Sequence, residues 1–242
     1  MSQRSSRGAD PPLAQSGGAV AIGEHLLRPA PPPAADPADD AGEMAMEGPD
    51  KLPKTARGRR TRERILEAAS TEFGDRGFHD ASISGITTRA GVALGTFYVY
   101  FDSKEALFRA LVGHTNRLTR SWIAERVKDA PDRLSAERLG LAAFVEFIRT
   151  HKSIYRIVME SQFVAPDAYA DYYQTFAVAY ERNLRGAAER GEISPGANAA
   201  RAWALIGISV FVGLKYGVWD DQVPMDEVIA AVGDLIDRGL AP

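Results

Sequence analysis

The sequence predicts an all-α protein: an N-terminal three-helix head of helix-turn-helix form, followed by a larger helical bundle. Apolar residues recur at one-, three- and four-residue steps, the stripe of an amphipathic helix. Glycine and proline interrupt these stripes at helix-length intervals. No run shows a convincing strand alternation, and no internal repeat is present.

Ile65, Leu66, Ala69 and Phe73 mark one face of the first helix. It is predicted to end near Gly74, with Arg76-Gly77-Phe78 turning the corner, because glycine suits a C-terminal cap. Ser82 stands where an N-cap belongs, and Ile83 and Ile86 share a face of a second helix running to about Arg89. Gly91 takes a positive φ cheaply, as a tight interhelical turn requires, and Val92 plugs the space between the helices. A short third helix covers about Leu94 to Tyr100. Val92, Phe97 and Phe101 face inward, which leaves Leu94, Gly95, Thr96, Tyr98 and Tyr100 outside.

Two tyrosines and a threonine make a poor solvent face but a good nucleic-acid face. Thr96 can donate to a phosphate or base edge, or set its methyl against thymine. Tyr98 and Tyr100 are rigid bodies whose hydroxyls reach phosphates, and Gly95 lets the backbone come close. Lys104 falls in the first turn of a fourth helix, capped by Asp102 or Ser103. There its ammonium and the helix amides could hold one phosphate. Singly these residues are ordinary; spaced as a unit they describe a helix made for a DNA major groove.

The body reads as further helices. The fourth runs from Ser103 to about Val127, with Leu107, Leu111, Leu118 and Trp122 inward, and Pro131 breaks the chain. The fifth covers about Leu134 to Thr150, and the sixth Ile154 to Phe163. The seventh runs from about Ala168 to Arg190, the eighth from Asn198 to about Trp219, and the ninth from Met225 to about Arg238.

The net charge of −3 conceals an asymmetry. Residues 1–50 hold three Arg against eight acids, or −5; residues 51–104 hold ten Lys/Arg against six acids, or +4; the remainder is −2. A basic block in an acidic protein points to a local polyanion site. Absence of cysteine excludes disulfides and thiolate metal sites and fits a cytoplasmic protein. The four histidines are scattered, and no nucleophile elbow or phosphate-cradling loop is present, so no enzyme, metal or cofactor is expected. No stretch is expected to span a bilayer, and Glu24 and His25 interrupt the only signal-like segment. Residues 1–53, rich in Pro, Gly, Ala and Asp, read as a disordered extension, with Met44 or Met46 as alternative starts. The basic residues Lys51, Lys54, Arg57, Arg59, Arg60 and Arg62 form either an arm that enters the adjacent minor groove or a solubilising lead-in. The predicted organisation is thus an extension (1–53), a DNA-binding head (54–104) and a body (105–242).

The segment from about Gly58 to Glu105, a fifth of the chain, resembles the DNA-binding domain of the tetracycline-repressor (TetR) family. The match rests on Ile65-Leu66 with Ala69 and Phe73, Gly77-Phe78, Ile83 with Ile86, and Ala90-Gly91-Val92. It continues through Gly95-Thr96-Phe97-Tyr98, Tyr100-Phe101 and Ser103-Lys104-Glu105-Ala106-Leu107. The resemblance implies backbone or base contacts at Ser82 and Ser84. It puts Leu94, Gly95, Thr96 and Tyr98 in the groove, and Tyr100 and Lys104 on phosphates. Ala93 and Leu94 depart from the pattern, being apolar where many members carry polar base readers. That shifts weight to DNA shape or to Ser84.

In the body, Tyr169, Tyr172, Tyr173, Phe176 and Tyr180 crowd the seventh helix. Met159 and Phe163 precede them, and Trp203, Phe211, Tyr216 and Trp219 follow in the eighth. Such stripes serve a packed core as readily as a pocket; the hydroxyls, which need partners, favour a pocket. The resemblance implies a small effector there, apolar or aromatic, with an acyl-like molecule among the candidates. Its candidate contacts are Met159, Phe163, Tyr172, Tyr173, Phe176 and Phe211, with Arg156 or Glu160 for a polar end. Ala199, Ala202, Ile206, Val210, Gly213 and Gly217 form a small-residue stripe that suits either a dimer face or the intrachain core, and the ninth helix adds Val228, Ile229, Val232, Leu235 and Ile236. Together these features predict a homodimeric repressor on a palindromic operator. An effector would release it by tilting the fourth helix. The alternative is a DNA-bound adaptor or activator without an effector.

Overall fold

The structure, a computed structural model, describes residues 52–242. The predicted extension lies outside the described residues but for its last two positions, as do Met44, Met46 and Lys51. The described residues form α1 (Ala56–Asp80), α2 (Ile83–Ala90), α3 (Leu94–Tyr100), α4 (Lys104–Val127) and α5 (Arg133–Thr150). There follow α6 (Lys152–Val164), α7 (Pro166–Glu189), α8 (Asn198–Gly213) and α9 (Met225–Leu240), and α8 runs on into a π-helical turn, Leu214–Trp219. The all-helical prediction holds among the described residues.

Local chemistry accounts for the breaks. Thr55, Ser82, Ser103 and Asp132 cap their helices by accepting the amides of Gly58, Gly85, Ala106 and Ser135. Gly91 ends α2 in the left-handed region (φ 63°), and the Val92 amide reaches back to the Thr87 carbonyl at 3.0 Å. The first helix does not end at Gly74. It continues to Asp80 with a kink at Gly77 (φ 77°, ψ 168°). Gly74 serves a close approach instead: a Cβ there would lie 2.4 Å from the Ser153 Cβ on α6.

One buried apolar cluster contains Ile65, Phe73, Ile86, Phe97 and Phe101 of the head and Phe108 and Leu111 of α4. It continues without interruption into Ile157 and Val158 of α6 and Tyr172 of α7. Phe73, Phe78 and Phe108 pack with centroids 5.1–5.8 Å apart. Head and body therefore share a core across the 104/105 division. A second cluster, including Leu184, Ala202, Leu205 and Ile236, ties α7, α8 and α9 together.

The small-residue stripe of α8 faces inward from Ala202 onward, whereas Ala199 is exposed. Ala202 and Ile206 are buried. A Cβ at Gly213 would sit 2.7 Å from the Phe144 ring, and one at Gly217 would sit 2.6 Å from Ile148. Its small residues let α5 approach, so these positions belong to the intrachain core; Val228 and Ile236 of α9 are buried as well. The exposed apolar residues of this region are Trp203, Phe211, Trp219 and Leu235. The expectation that no stretch is apolar enough to span a bilayer is also corrected. Among the described residues Asn198–Trp219, 22 residues, is long and apolar enough by length and composition alone.

Candidate nucleic-acid interface and body cavity

α3 stands on Phe97 and Phe101, both fully buried. With Phe97 inward, the 100° advance per residue puts Gly95 and Val99 at the outer pole, Leu94 and Tyr98 on one flank, and Thr96 and Tyr100 on the other. Burial follows this geometry. Leu94, Tyr98 and Val99 are 51%, 47% and 59% exposed, whereas Thr96 and Tyr100 are half-buried. Tyr100 packs against the head core. Val99 was missed because valine reads as core; its helical angle could have found it. Ser82 and Ser84 are exposed beside this helix with their hydroxyls 3.1 Å apart, and Ser82 is already engaged as the cap of α2.

A basic groove runs between the start of α1 and the α2–α3 turn, lined by Arg57, Arg60, Thr61, Arg64, Gly91, Val92, Ala93 and Thr96. Arg64, absent from the sequence-derived candidates, donates to the carbonyls of Ala90 and Gly91 and so pins the turn. Its spacing of four and seven residues from Arg60 and Arg57 was the available signal. The extended arm is corrected: Arg57, Arg59, Arg60 and Arg62 lie within α1, which Thr55 starts. Arg59 is exposed but does not line the groove. Arg62 is buried, with its guanidinium 5.4 Å from the Phe101 ring centroid.

Lys104 is a second correction. Its ammonium donates to the carbonyls of Phe78 (2.7 Å), His79 (3.2 Å) and Ala81 (2.9 Å) and lies 4.5 Å from the Phe78 ring centroid. All three donors are spent. Lys104 locks the α1–α2 corner rather than offering itself to a phosphate. Glu72, also buried, faces Arg76 at 3.2 Å and Arg89 at 3.6 Å and joins α1 to α2.

Five effector candidates leave the site. Arg156 donates to the Gly74 carbonyl at 2.9 Å, and Glu160 accepts from the Phe78 amide at 2.9 Å. The pair straddles the Gly77 kink and supplies partners to backbone groups that the broken helix cannot satisfy itself. Met159 packs against the cluster around Phe147 and Ile154. Phe163 and Phe211 are exposed, at 81% and 71%.

Tyr172, Tyr173 and Phe176 do line a cavity of about 70 Å³ between α4, α5, α6, α7 and α8. The sequence reading missed Thr119 and Ile123 of α4, and Gly140, Phe144 and Ile148 of α5. It also missed Ile154, Tyr155 and Val158 of α6 and Ser209 of α8, named Tyr180 only as part of the α7 aromatic stripe, and gave Ile206 and Val210 to the small-residue stripe of α8. No Lys, Arg, Asp, Glu or His is in this lining. The Tyr155 hydroxyl donates to the Val210 carbonyl (3.3 Å), and that of Tyr172 meets Thr119 at 3.4 Å. Tyr180 donates to the buried carboxylate of Glu137, which Arg133 also holds. Burial pushes Tyr155 and Tyr172 up to about 12 and raises Tyr173 as well, so these hydroxyls stay neutral. At roughly 10–15 Å³ per water the space takes a few waters or a compact group; a larger ligand requires its walls to move.

Known proteins resemble this chain in sequence and in fold. A family model described as "Bacterial regulatory proteins, tetR family" matches residues 65–111. The uncharacterized HTH-type transcriptional regulator YdgC of Bacillus subtilis is 35% identical over 106 residues, 42% of this chain. The chain spans about half of that relative's length (54%). A second B. subtilis relative, the uncharacterized HTH-type transcriptional regulator YvdT, is 30% identical over 152 residues, covering 61% of this chain and 76% of the relative. Among solved structures, the transcriptional regulator FadR from B. subtilis in complex with stearoyl-CoA has a similar fold. Its TM-score is 0.62 at 18% identity, covering 72% of this chain and 96% of that one.

Proposed function

The chain belongs to the tetR family of bacterial regulatory proteins, and from that premise we propose a cytoplasmic, dimeric repressor that a small apolar or aromatic effector releases from a palindromic operator. Each head sets the α3 face in a major groove. A helix of seven residues touches few bases, so a two-fold dimer with half-sites about 34 Å apart is the economical reader. The apolar side chains left exposed on α8, its π-helical turn and α9 (Trp203, Phe211, Trp219 and Leu235) offer a surface for a second copy. Repression is the simpler output because occupancy alone blocks transcription.

One observation carries the effector reading. Val158 and Tyr172 line the cavity and also belong to the buried cluster that holds Phe73, Phe97 and Phe101 of the head. A ligand that widens the cavity by moving Val158 or Tyr172 would therefore disturb the same packed cluster on which α3 stands. α6 has the same double role: Tyr155 and Val158 face the cavity, while Arg156 and Glu160 hold the Gly77 kink on the opposite side. An effector that binds a DNA-incompetent arrangement better shifts the population toward it. A tenfold loss of DNA affinity needs about 1.4 kcal/mol of differential binding. The uncharged lining suits an apolar or aromatic molecule; the FadR fold relative holds an acyl-CoA.

The test is a gel shift with the protein's own upstream region, with and without a panel of lipophilic compounds. Retardation that one compound reverses is the expected result. Tyr98→Ala should abolish specific retardation while the dimer stays folded. Retardation that every compound leaves intact defeats the effector reading, and full binding by Tyr98→Ala removes that residue from the interface.

A further inference from the structure

The structure assigns a base preference to α3: we propose that Leu94 and Val99 read thymine methyl groups, so that the operator half-site is recognised mainly through the C5-methyls of its thymines. This rests on the reading of α3 as the helix that enters the groove.

α3 lacks the side chains that read bases selectively by hydrogen bonds. Its sequence, Leu-Gly-Thr-Phe-Tyr-Val-Tyr, contains no arginine, lysine, asparagine, glutamine or acid. Selective major-groove readout of guanine uses Arg or Lys across O6 and N7. That of adenine uses Asn or Gln, and that of cytosine uses a carboxylate. None of these is available on this helix. What it presents instead is aliphatic: Val99 at the outer pole and Leu94 on the flank, both more than half exposed. Their exposure is imposed by the base beneath them, because Phe97 and Phe101 are fully buried and fix the rotation of the helix.

The neighbours specify the occupant. Gly95 shares the outer pole with Val99 and lies one turn before it, and a Cβ at Gly95 would meet nothing within 4 Å. The backbone can therefore approach base edges closely enough for a short side chain such as valine to touch them. Arg57 and Arg60 line the groove alongside Thr96, on the flank of α3 away from Leu94, so one side of the outer face is bordered by charge that suits a polyanion and not an apolar protein surface. On the major-groove edge of DNA the one apolar group is the thymine C5-methyl. Aliphatic side chains held there by phosphate contacts, Val99 at the pole and Leu94 on the flank, can distinguish bases chiefly through that methyl.

The experiment uses the full chain. Duplexes retained from a random pool give the preferred site. The site is then remade with deoxyuridine for each thymidine in turn, which removes one methyl and leaves pairing intact. Affinity should fall about fourfold for each contacted methyl, the weight of one buried carbon. The penalty at one position should vanish in Val99→Ala, and that at another in Leu94→Ala. Both changes lie on exposed positions, and cooperative melting checks the fold. Placing 5-methylcytosine for cytosine in an otherwise weakened site should restore part of the loss. A retained site that is indifferent to every deoxyuridine overturns the assignment and leaves DNA binding standing. Sensitivity that persists undiminished in both variants overturns the roles of Leu94 and Val99. A pool from which nothing is retained overturns the groove reading of α3 and this inference with it.

Discussion

The outer face of α3 and the cavity of the body both depend on aromatic side chains, but they use them in opposite ways. In the head the aromatics point down: Phe97 and Phe101 are buried so that Leu94, Tyr98 and Val99 stand out. In the body Phe144, Tyr155, Tyr172, Tyr173 and Phe176 surround space rather than fill it. A face that meets a rigid partner needs a stiff base. A chamber that opens for a ligand, as proposed for the body, needs walls that can give. Truncation should expose the difference most strongly. Phe97→Ala should cost about 3–5 kcal/mol, because the head cannot collapse onto the void. Phe176→Ala, half-buried beside existing space, should cost less than half as much. Urea unfolding of both variants makes the comparison; equal losses would mean that the cavity walls are ordinary core.

The two regions share α4, and this gives the next test. His114 lies on α4, where burial, with the charges of Arg117 and Arg62 adding to it, depresses its pKa from 6.5 to about 4. Between those values the unfolded chain binds the proton and the folded chain does not, so stability falls as pH drops through that window. At 1.36 kcal/mol per pH unit the full loss is about 3 kcal/mol, with no further contribution from this group below about pH 4. His151, lowered chiefly by its own burial, acts in the same direction. His114→Gln should flatten much of the acid limb. If head and body are one cooperative unit, helix content and tryptophan fluorescence will report the same midpoint at each pH. Separate midpoints would break the shared-core picture.

The coupling itself should be worth less. Arg156→Ala with Glu160→Ala removes the partners of the Gly74 carbonyl and the Phe78 amide at the kink. DNA binding should survive while the effector response shrinks, a loss of coupling on the order of 1–3 kcal/mol. Effector titrations at fixed operator concentration measure it. An undiminished response would confine transmission to the apolar cluster.

How well the sequence foretold each region follows from the same contrast. The head's caps, turn and recognition helix lie within one contiguous stretch, so helical angles and capping rules place Ser82, Gly91, Phe97 and Tyr98 correctly. The errors there came from interactions across more than twenty residues. Lys104 looked free until its carbonyl partners at Phe78, His79 and Ala81 were in place, and Gly74 looked like a cap until Ser153 came beside it. The cavity draws on five helices spread from Thr119 to Val210, a set that no local spacing defines. Tyr172, Tyr173 and Phe176 were found because they cluster on one helix. Arg156 and Glu160 were misassigned because a charged pair next to an aromatic stripe looks the same in sequence whether it turns toward the stripe or away. The small-residue stripe of α8 could not be assigned from sequence for a related reason: close helix packing looks alike within and between chains, and only the approach of Phe144 and Ile148 shows that Gly213 and Gly217 serve the former.

The smallest effect concerns the charged border of the α3 face. Each phosphate neutralised by a basic side chain contributes about 0.9 to the slope of log affinity against log salt. Arg60 lines the groove beside α3, whereas Arg59 does not. In a dimer Arg60→Ala removes one contact from each head, so the slope should flatten by nearly two, by the same increment on every sequence tested. Arg59→Ala should leave it nearly unchanged. A flattening of about one would mean that a single head engages the DNA, which would contradict the two-fold reader without touching the assignment of the groove. Sequence preference should not move in either variant, because a phosphate contact positions the helix and carries no base information.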